Sequence, residues 1–539
     1  MGRYRISARA ALSALLALGA LTRAANATEP TPEDFDPRWL IDPGRLEVPA
    51  AEPDLVRFEA HGEYQIRLRG QSSIALPRYR SDVGTDELSQ TIRLTHWLRF
   101  TPEIQLGDRL RIVGQADLAG GFFAGQPTQY VTAARDPYER QQPLRTEPRW
   151  LFVEYSHGHV DLRGGQQPSH WGLGLVENDG DHPVRWGDYQ SGSRVERLEV
   201  RLHPAAEDPK FEARFAEDLV FVDAEADLRD DQRAVRALAS LRAGREQGDA
   251  VGLLAIYRRQ TEPQSSNGGA TRAVTRHGTL DLTGQFAARV PGLSVWVYGG
   301  AEAALRRGDS SLAPTLAQPN GGRETLAGFG AVARLGAVLT RSAAAPSHGR
   351  AAAELEWGWT SGDADPYDGV DRRFALDPNH NVGLILFDEV LAWKTARAAT
   401  IGQDPILGPR PLPEARALAT NGSVVGASYL QPQILFRPTP PLDLRAGAVV
   451  AQTTADLVDP VAVYTTGRYA NYDGGLPTSH DLGVEVMIGM DWRIQTDTGL
   501  TLQLGAQAAT LLPGNAFADA HGNRMAAQHA GVARLGVQY

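Results

Sequence analysis

Arginine recurs at alternate positions in this chain, and that spacing gives the residues a possible chemistry. Arg67 and Arg69, Arg93 and Arg99, Arg111, and Arg534 close to the last residue all occupy the polar phase of stretches that alternate polar with apolar side chains. A guanidinium stays charged and presents a planar fork that matches a carboxylate or phosphate. A row of such groups facing one space suits the binding or passage of anionic solutes. Glu302, Glu354 and Glu356 stand in the same phase of later stretches, opposed mainly by Arg334. A basic wall facing an acidic wall sets up a transverse field, and walls of charge are how barrels select solutes.

Patterns for bond-making chemistry are sparse. No G-x-S-x-G or H-E-x-x-H occurs, and GFGAVA at 328–333 falls within a strand pattern rather than at a strand–helix turn. The absence of cysteine removes thiolate nucleophiles, disulfides and zinc–sulfur sites. The chain is therefore not read as an enzyme, and no cofactor is expected beyond a candidate calcium loop. In that loop Asp363, Asp365, Asp368 and Asp371 flank Gly369, but the EF-hand order is broken by one extra residue. Asp and Gly also serve loop turns for conformational reasons alone.

The elements that would carry the charged rows are two-faced strands. YQIRLRG sets Tyr64, Ile66 and Leu68 against Gln65, Arg67 and Arg69; RLRIVGQADL sets Leu110, Ile112 and Leu118 against Arg111, Gln115 and Asp117. Side chains of a strand alternate with period two, so each stretch has one greasy and one polar face. Roughly eighteen such stretches run from 57–70 to 526–539, near the length a tilted membrane strand requires. The connections alternate between short turns and long segments, the long ones at 121–147, 168–192, 261–274, 307–322, 362–421, 454–479 and 512–525. An even strand count puts every long connection at one end. This predicts an all-β fold, a transmembrane antiparallel barrel with short periplasmic turns and long extracellular loops, spanning 57–539.

In such a barrel the last strand must pair with the first, because lipid cannot satisfy an open edge. HAGVARLGVQY is that closing strand, with Leu535, Val537 and Tyr539 toward lipid and Arg534 toward the lumen. Phe100, Tyr155, Trp492 and Tyr539 fall at the periplasmic interface in this reading, and Trp357 and Trp359 at the outer one. Upstream, residues 1–27 carry arginines, then an apolar run around Ala10–Leu21, then Ala25-Asn26-Ala27, the three parts of a cleaved secretory signal. Residues 28–56 are rich in proline and acids and read as a periplasmic lead-in. The formal net charge of −10 gives no general reason to bind nucleic acid.

Over its mature length the chain resembles a bacterial outer-membrane β-barrel, on the signal, the strand pattern and the terminal amphipathic strand ending in an aromatic residue. Such a last strand implies recognition by the barrel-assembly machinery, where phenylalanine is the usual final residue and Tyr539 a mild departure. Within the class, WGWTSGDADPYDGVDRRF at 357–374 resembles the strand-then-loop segment of alginate-export-type barrels. DPNHNVGLILFDEVLAW at 377–393 is similar to a segment of uncharacterised barrels from myxobacteria and their relatives. These resemblances imply the outer membrane of a Gram-negative bacterium, contact with its lipid and lipopolysaccharide, and a porin or export channel passing small anionic solutes or acidic polysaccharide. The alternative is a non-conducting surface barrel whose outer loops serve adhesion or a structural role.

Overall fold

A computed structural model describes residues 56–79, 87–88, 91–125, 146–182, 184–187, 192–204, 211–244, 249–266, 269–312, 323–342, 345–402, 412, 415–496 and 499–539. The expected signal at 1–27 and nearly all of the 28–56 segment lie outside the described residues. The strands are β1 Val56–Gln71, β2 Thr91–Leu106, β3 Leu110–Gly125, β4 Glu147–His157, β5 Val160–Pro168 and β6 Arg194–Leu202. They continue as β7 Phe211–Val222, β8 Arg233–Gly244, β9 Ala250–Ser266, β10 Gly269–Arg289, β11 Val295–Ser310 and β12 Glu324–Ser342. The last six are β13 Ala345–Thr360, β14 Ala427–Thr439, β15 Leu442–Thr453, β16 Asp481–Gln495, β17 Thr501–Pro513 and β18 Gln528–Gln538.

Each strand pairs antiparallel with its neighbours in sequence, and β1 pairs with both β2 and β18, so the sheet closes into an 18-strand barrel. At the seam Arg67 stands opposite Arg534 and Ile66 opposite Leu535. The ladder runs to the final residue: Gly62 N donates to Tyr539 O at 3.0 Å and Tyr539 N to Gly62 O at 2.9 Å. Phe100 also lies opposite Gly62, from the other side, which puts two aromatics at one level of the wall.

Alternation sets the two faces as the period predicts. Leu68, Ile92, Leu198, Ile488 and Leu535 are exposed on the outside, whereas Gln65, Arg67, Arg93 and Asp117 are buried on the inside. A continuous apolar exterior of this extent is a poor surface in water and a good one in lipid. Among the described residues no helix is long and apolar enough to cross a membrane.

Two expectations about the connections change. The 261–274 segment is no loop: β9 and β10 stay paired out to Ser266 and Gly269, forming one long hairpin. More consequentially, the connections after β5 and after β13 do not stay outside the barrel. Both turn into the lumen, where Leu384, Ile385, Leu386, Phe387 and Val390 pack with Leu175, Trp186, Tyr429 and Met487 in an apolar core inside the polar wall. The helix α1, Ala392–Gly402, follows this insertion, and its alanine-rich sequence favours that conformation. It packs beside α2, Pro460–Thr466, which has Asp459 as N-cap, proline at its start and Gly467 at φ 70 to end it.

Candidate functional site

The site is the lumen and the two segments that cross it. Residues 169–182 and 184–187 follow β5 and reach strands around most of the wall. Trp171 lies against Gly252 of β9, where a Cβ would come within 2.8 Å of its ring. Leu173 N and Leu175 N donate to the Glu302 carboxylate on β11, the second at 3.1 Å. Glu177 pairs with Arg236 of β8, and Asp181 with Arg99 of β2 at 2.7 Å. Arg185 then reaches Glu354 of β13 at 2.9 Å, and Trp186 Nε1 donates to Gln433 of β14 at 3.0 Å. Gly187 N donates to Gln507 of β17 at 3.1 Å. A segment tied to opposite sides of a cylinder necessarily spans it.

The second segment, residues 376–393, lies on the first: Asp377 N donates to Leu175 O at 2.7 Å. His380 Nε2 lies 3.3 Å from Glu356 and 3.2 Å from the Tyr429 hydroxyl. Glu485 of β16 accepts from the backbone N–H groups of Leu384 at 2.6 Å, Ile385 at 3.2 Å and Leu386 at 2.9 Å. Those donors have no partner within the turn they begin, so one carboxylate satisfies three of them. Further on, Glu389 pairs with Arg69, and Lys394, fully buried, pairs with Asp473 from the 454–480 connection. Burial lowers the Lys394 ammonium pKa and raises that of Asp473, each opposed by the other's charge.

The predicted residues fall as follows. Arg67 Nε donates to Gln65 at 2.8 Å; Arg93 donates to Gln71 at 3.1 Å and lies 3.9 Å from Glu389. Arg99 is held by Asp117 at 2.9 Å as well as by Asp181. Arg111 lies 3.5 Å from Glu103 and 3.6 Å from Glu154, and Arg534 faces the lumen across the seam from Arg67. Glu302 is covered by the 169–193 segment. Glu354 accepts from the Tyr298 hydroxyl at 2.6 Å, and Glu356 from Arg334 at 2.6 Å and Tyr429 at 2.7 Å. Gly336 and Gly358 make room for those rings, since a Cβ at either would lie 2.3 Å or less from a tyrosine ring carbon. Leu535 and Tyr539 are exposed on the lipid side, and Val537 shares their face.

The four aspartates of the 363–371 loop accept mainly from their own loop, and Asp365 also accepts from the Tyr469 hydroxyl at 2.8 Å. Asp363 accepts from Asp365 N, Asp365 from Tyr367 N, and Asp368 from Val370 N; Asp371 pairs with Arg373. The residues that sequence reasoning missed are Asp181, Arg185 and Glu389, which complete the ion pairs of the inserted segments; Glu485 falls in the lumen-facing phase of its strand, but alternation gives no hint that it caps one of them. One signal for the insertion was present: the run VGLILF at 382–387 is too apolar for a connection lying in water.

Above the inserted segments, on the long-loop side, lies a cavity of about 880 Å³. Asp227 and Asp230 of the connection between β7 and β8, Glu262 of β9 and Glu324 of β12 line it together with Leu391, Ala399 and Leu418. At its floor burial pushes the Asp377 carboxyl up to about 8, against the hydrogen bonds it accepts from Asn379 N and Nδ2.

At three wall ion pairs the arginine is the more exposed partner, whereas at Arg445–Asp491 and Arg258–Glu225 the acid is. The Arg334 side chain is 30% exposed and its partner Glu356 4%; Arg201 is 23% and Glu199 1%; Arg111 is 40% and Glu154 16%. In these pairs the acid lies behind and the guanidinium faces the lumen.

No protein-family model and no curated protein matches the chain. Solved structures similar to it include the outer membrane protein OprD from Pseudomonas aeruginosa, at 8% identity and a TM-score of 0.48, covering 91% of this chain and 95% of that one. Acinetobacter baumannii OccAB1 is similar at 9% identity and a TM-score of 0.45, covering 89% and 96%. Pseudomonas aeruginosa OpdK, solved with vanillate, is similar at 11% identity and a TM-score of 0.43, covering 89% and 98%.

Proposed function

We propose that this barrel is an outer-membrane channel for small anionic solutes, with a lumen narrowed by the two inserted segments. The observation that carries the reading is the exposure asymmetry at Arg111, Arg201 and Arg334. An arginine locked face to face with an acid offers an anion little. One whose acid is buried behind it still presents N–H donors to the lumen and can exchange water for a carboxylate or phosphate. The apolar exterior, the even strand count and the aromatic level at Tyr539 support the outer membrane of a Gram-negative bacterium, reached through the N-terminal signal. The closing strand is what the barrel-assembly machinery would engage.

The 357–374 resemblance keeps an acidic polysaccharide among the candidate solutes, but a lumen crossed by two segments favours a small solute over a polymer. The same crossing favours the second reading, a barrel that conducts nothing and acts through its outer loops. Planar bilayer recording on refolded protein separates the two. The channel reading expects a small stable conductance and an anion-biased reversal potential in a low-ionic-strength salt gradient, since the Debye length is about 10 Å at 0.1 M and about 3 Å at 1 M. Combined Arg111→Gln, Arg201→Gln and Arg334→Gln should move that potential toward zero. Cation preference in the unmutated protein, or an unmoved potential in the variant, overturns anion selectivity; absence of conductance overturns the channel.

A further inference from the structure

Among the described residues one group of three side chains has ligand atoms within common reach of a metal ion: His170, Asp179 and His182. All three lie on the 169–193 segment, two at the ends of its first bend and one between them. His182 Nδ1 is 2.9 Å from Asp179 Oδ1, and His170 Nδ1 is 3.9 Å from the same oxygen. The two imidazoles stack, with centroids 3.7 Å apart and planes 18° from parallel. We propose that these residues form a site for a divalent transition ion, Zn²⁺, Ni²⁺ or Cu²⁺, that clamps the bend of the lumen-crossing segment.

The geometry of the group fits such an ion after a small adjustment. Bonds of about 2.0–2.2 Å around a tetrahedral centre place donors about 3.4 Å apart, between the two His–Asp separations. All the ligand atoms lie within 4.8 Å of one another. One imidazole must turn out of the stack so that both lone pairs meet, and the two side chains are 24% and 32% exposed. Two imidazoles and one carboxylate suit a borderline ion; calcium and magnesium prefer oxygen sets.

The backbone beneath the group is fixed, as a preorganised site requires. Asp179 Oδ1 accepts from Asp181 N at 2.9 Å, and Asn178 Oδ1 from Gly180 N at 3.0 Å; Gly180 turns the chain at φ 66. Arg149 Nη2 donates to Asp179 O at 3.3 Å, and Arg99 holds Asp181. Gly192 packs so closely on Asp179 that a Cβ there would lie 1.8 Å from its carbonyl. The acids Asp117 and Asp181 offset Arg99 and Arg149 nearby, so the surroundings do not repel a dication outright. Because Glu177, between the histidines, holds Arg236 of β8 and Gly187, just beyond them, holds Gln507 of β17 nine strands away, a bound ion would fasten the segment across the lumen.

The test uses the full chain refolded in detergent, its fold checked by heat-modifiable gel migration. Cu²⁺ titration followed by electron paramagnetic resonance should give one site with two-nitrogen hyperfine splitting. Affinity should fall on the order of tenfold or more in His170→Ala and in His182→Ala, and stay unchanged in His157→Ala on β4. Should the alanine variants fail to fold, the unmutated protein answers the question alone: Zn²⁺ should protect His170 and His182 from diethyl pyrocarbonate, read by mass spectrometry. A copper signal that survives both substitutions, or equal modification of both histidines with and without zinc, overturns the site. Neither readout depends on whether the barrel conducts.

Discussion

Arg69 and Arg93 are direct register partners on the first two strands, and both guanidiniums converge on Glu389 from the 376–393 segment. Like charges placed opposite each other on neighbouring strands destabilise a sheet, and here an acid brought in from a distant connection offsets the repulsion. The inserted segment thus supplies a charge that this pair of register partners shares.

Glu389→Gln should therefore loosen that segment. Removing one partner of a buried pair costs about 3–5 kcal/mol, and here it also restores the Arg69–Arg93 repulsion. The expected outcome in single-channel recording is a larger or noisier conductance with the barrel still folded. A trace indistinguishable from the unmutated protein would show that the segment is held by its other contacts.

Glu485 caps three consecutive N–H groups of the same segment. Glu485→Ala should leave them unsatisfied at about 1–3 kcal/mol each, less whatever water restores. Hydrogen exchange measured at Leu384, Ile385 and Leu386 should rise by orders of magnitude, with the strands of β16 and β17 little changed. Unchanged protection at 384–386 would contradict the cap.

Asp377 gives a pH dependence whose sign is fixed. Its ordinary value is 3.8 and burial raises it to about 8 in the folded segment. The protonated form is the one the fold favours, so its contribution is complete below about pH 4 and is lost as pH rises through about 8. Protease cleavage within 376–393 should be slow at pH 6 and faster at pH 9. Asp377→Asn, which keeps a neutral side chain of the same shape, should flatten that response; an equally steep profile in the variant would assign it to another group.

At the seam, Leu535 faces lipid and Arg534 the lumen. Leu535→Arg should cost roughly 2–4 kcal/mol if its level is near the bilayer midplane, read by urea unfolding in lipid vesicles. Arg534→Leu should be far milder, and equal damage from both would reverse the assigned faces.

Period-two alternation was enough, by itself, to determine the wall of this protein. Each of the strand stretches read from the sequence forms a barrel strand, and Arg67, Arg93 and Leu68 lie on the faces that alternation assigns. The reason is local: a strand between lipid and lumen sees two solvents, and its own residues record which side each must face. Even the closing role of residues 530–539 follows from that pattern, because an edge in lipid must be paired. What fills the wall was decided by tertiary structure. Arg99 with Asp181, Glu354 with Arg185, Arg69 with Glu389 and Glu485 with the 384–386 amides join positions far apart in the chain. No periodicity links such partners. They meet because a connection with an apolar run cannot remain in water and finds its burial inside the barrel, carrying its acids to arginines that the sequence alone leaves facing an open lumen.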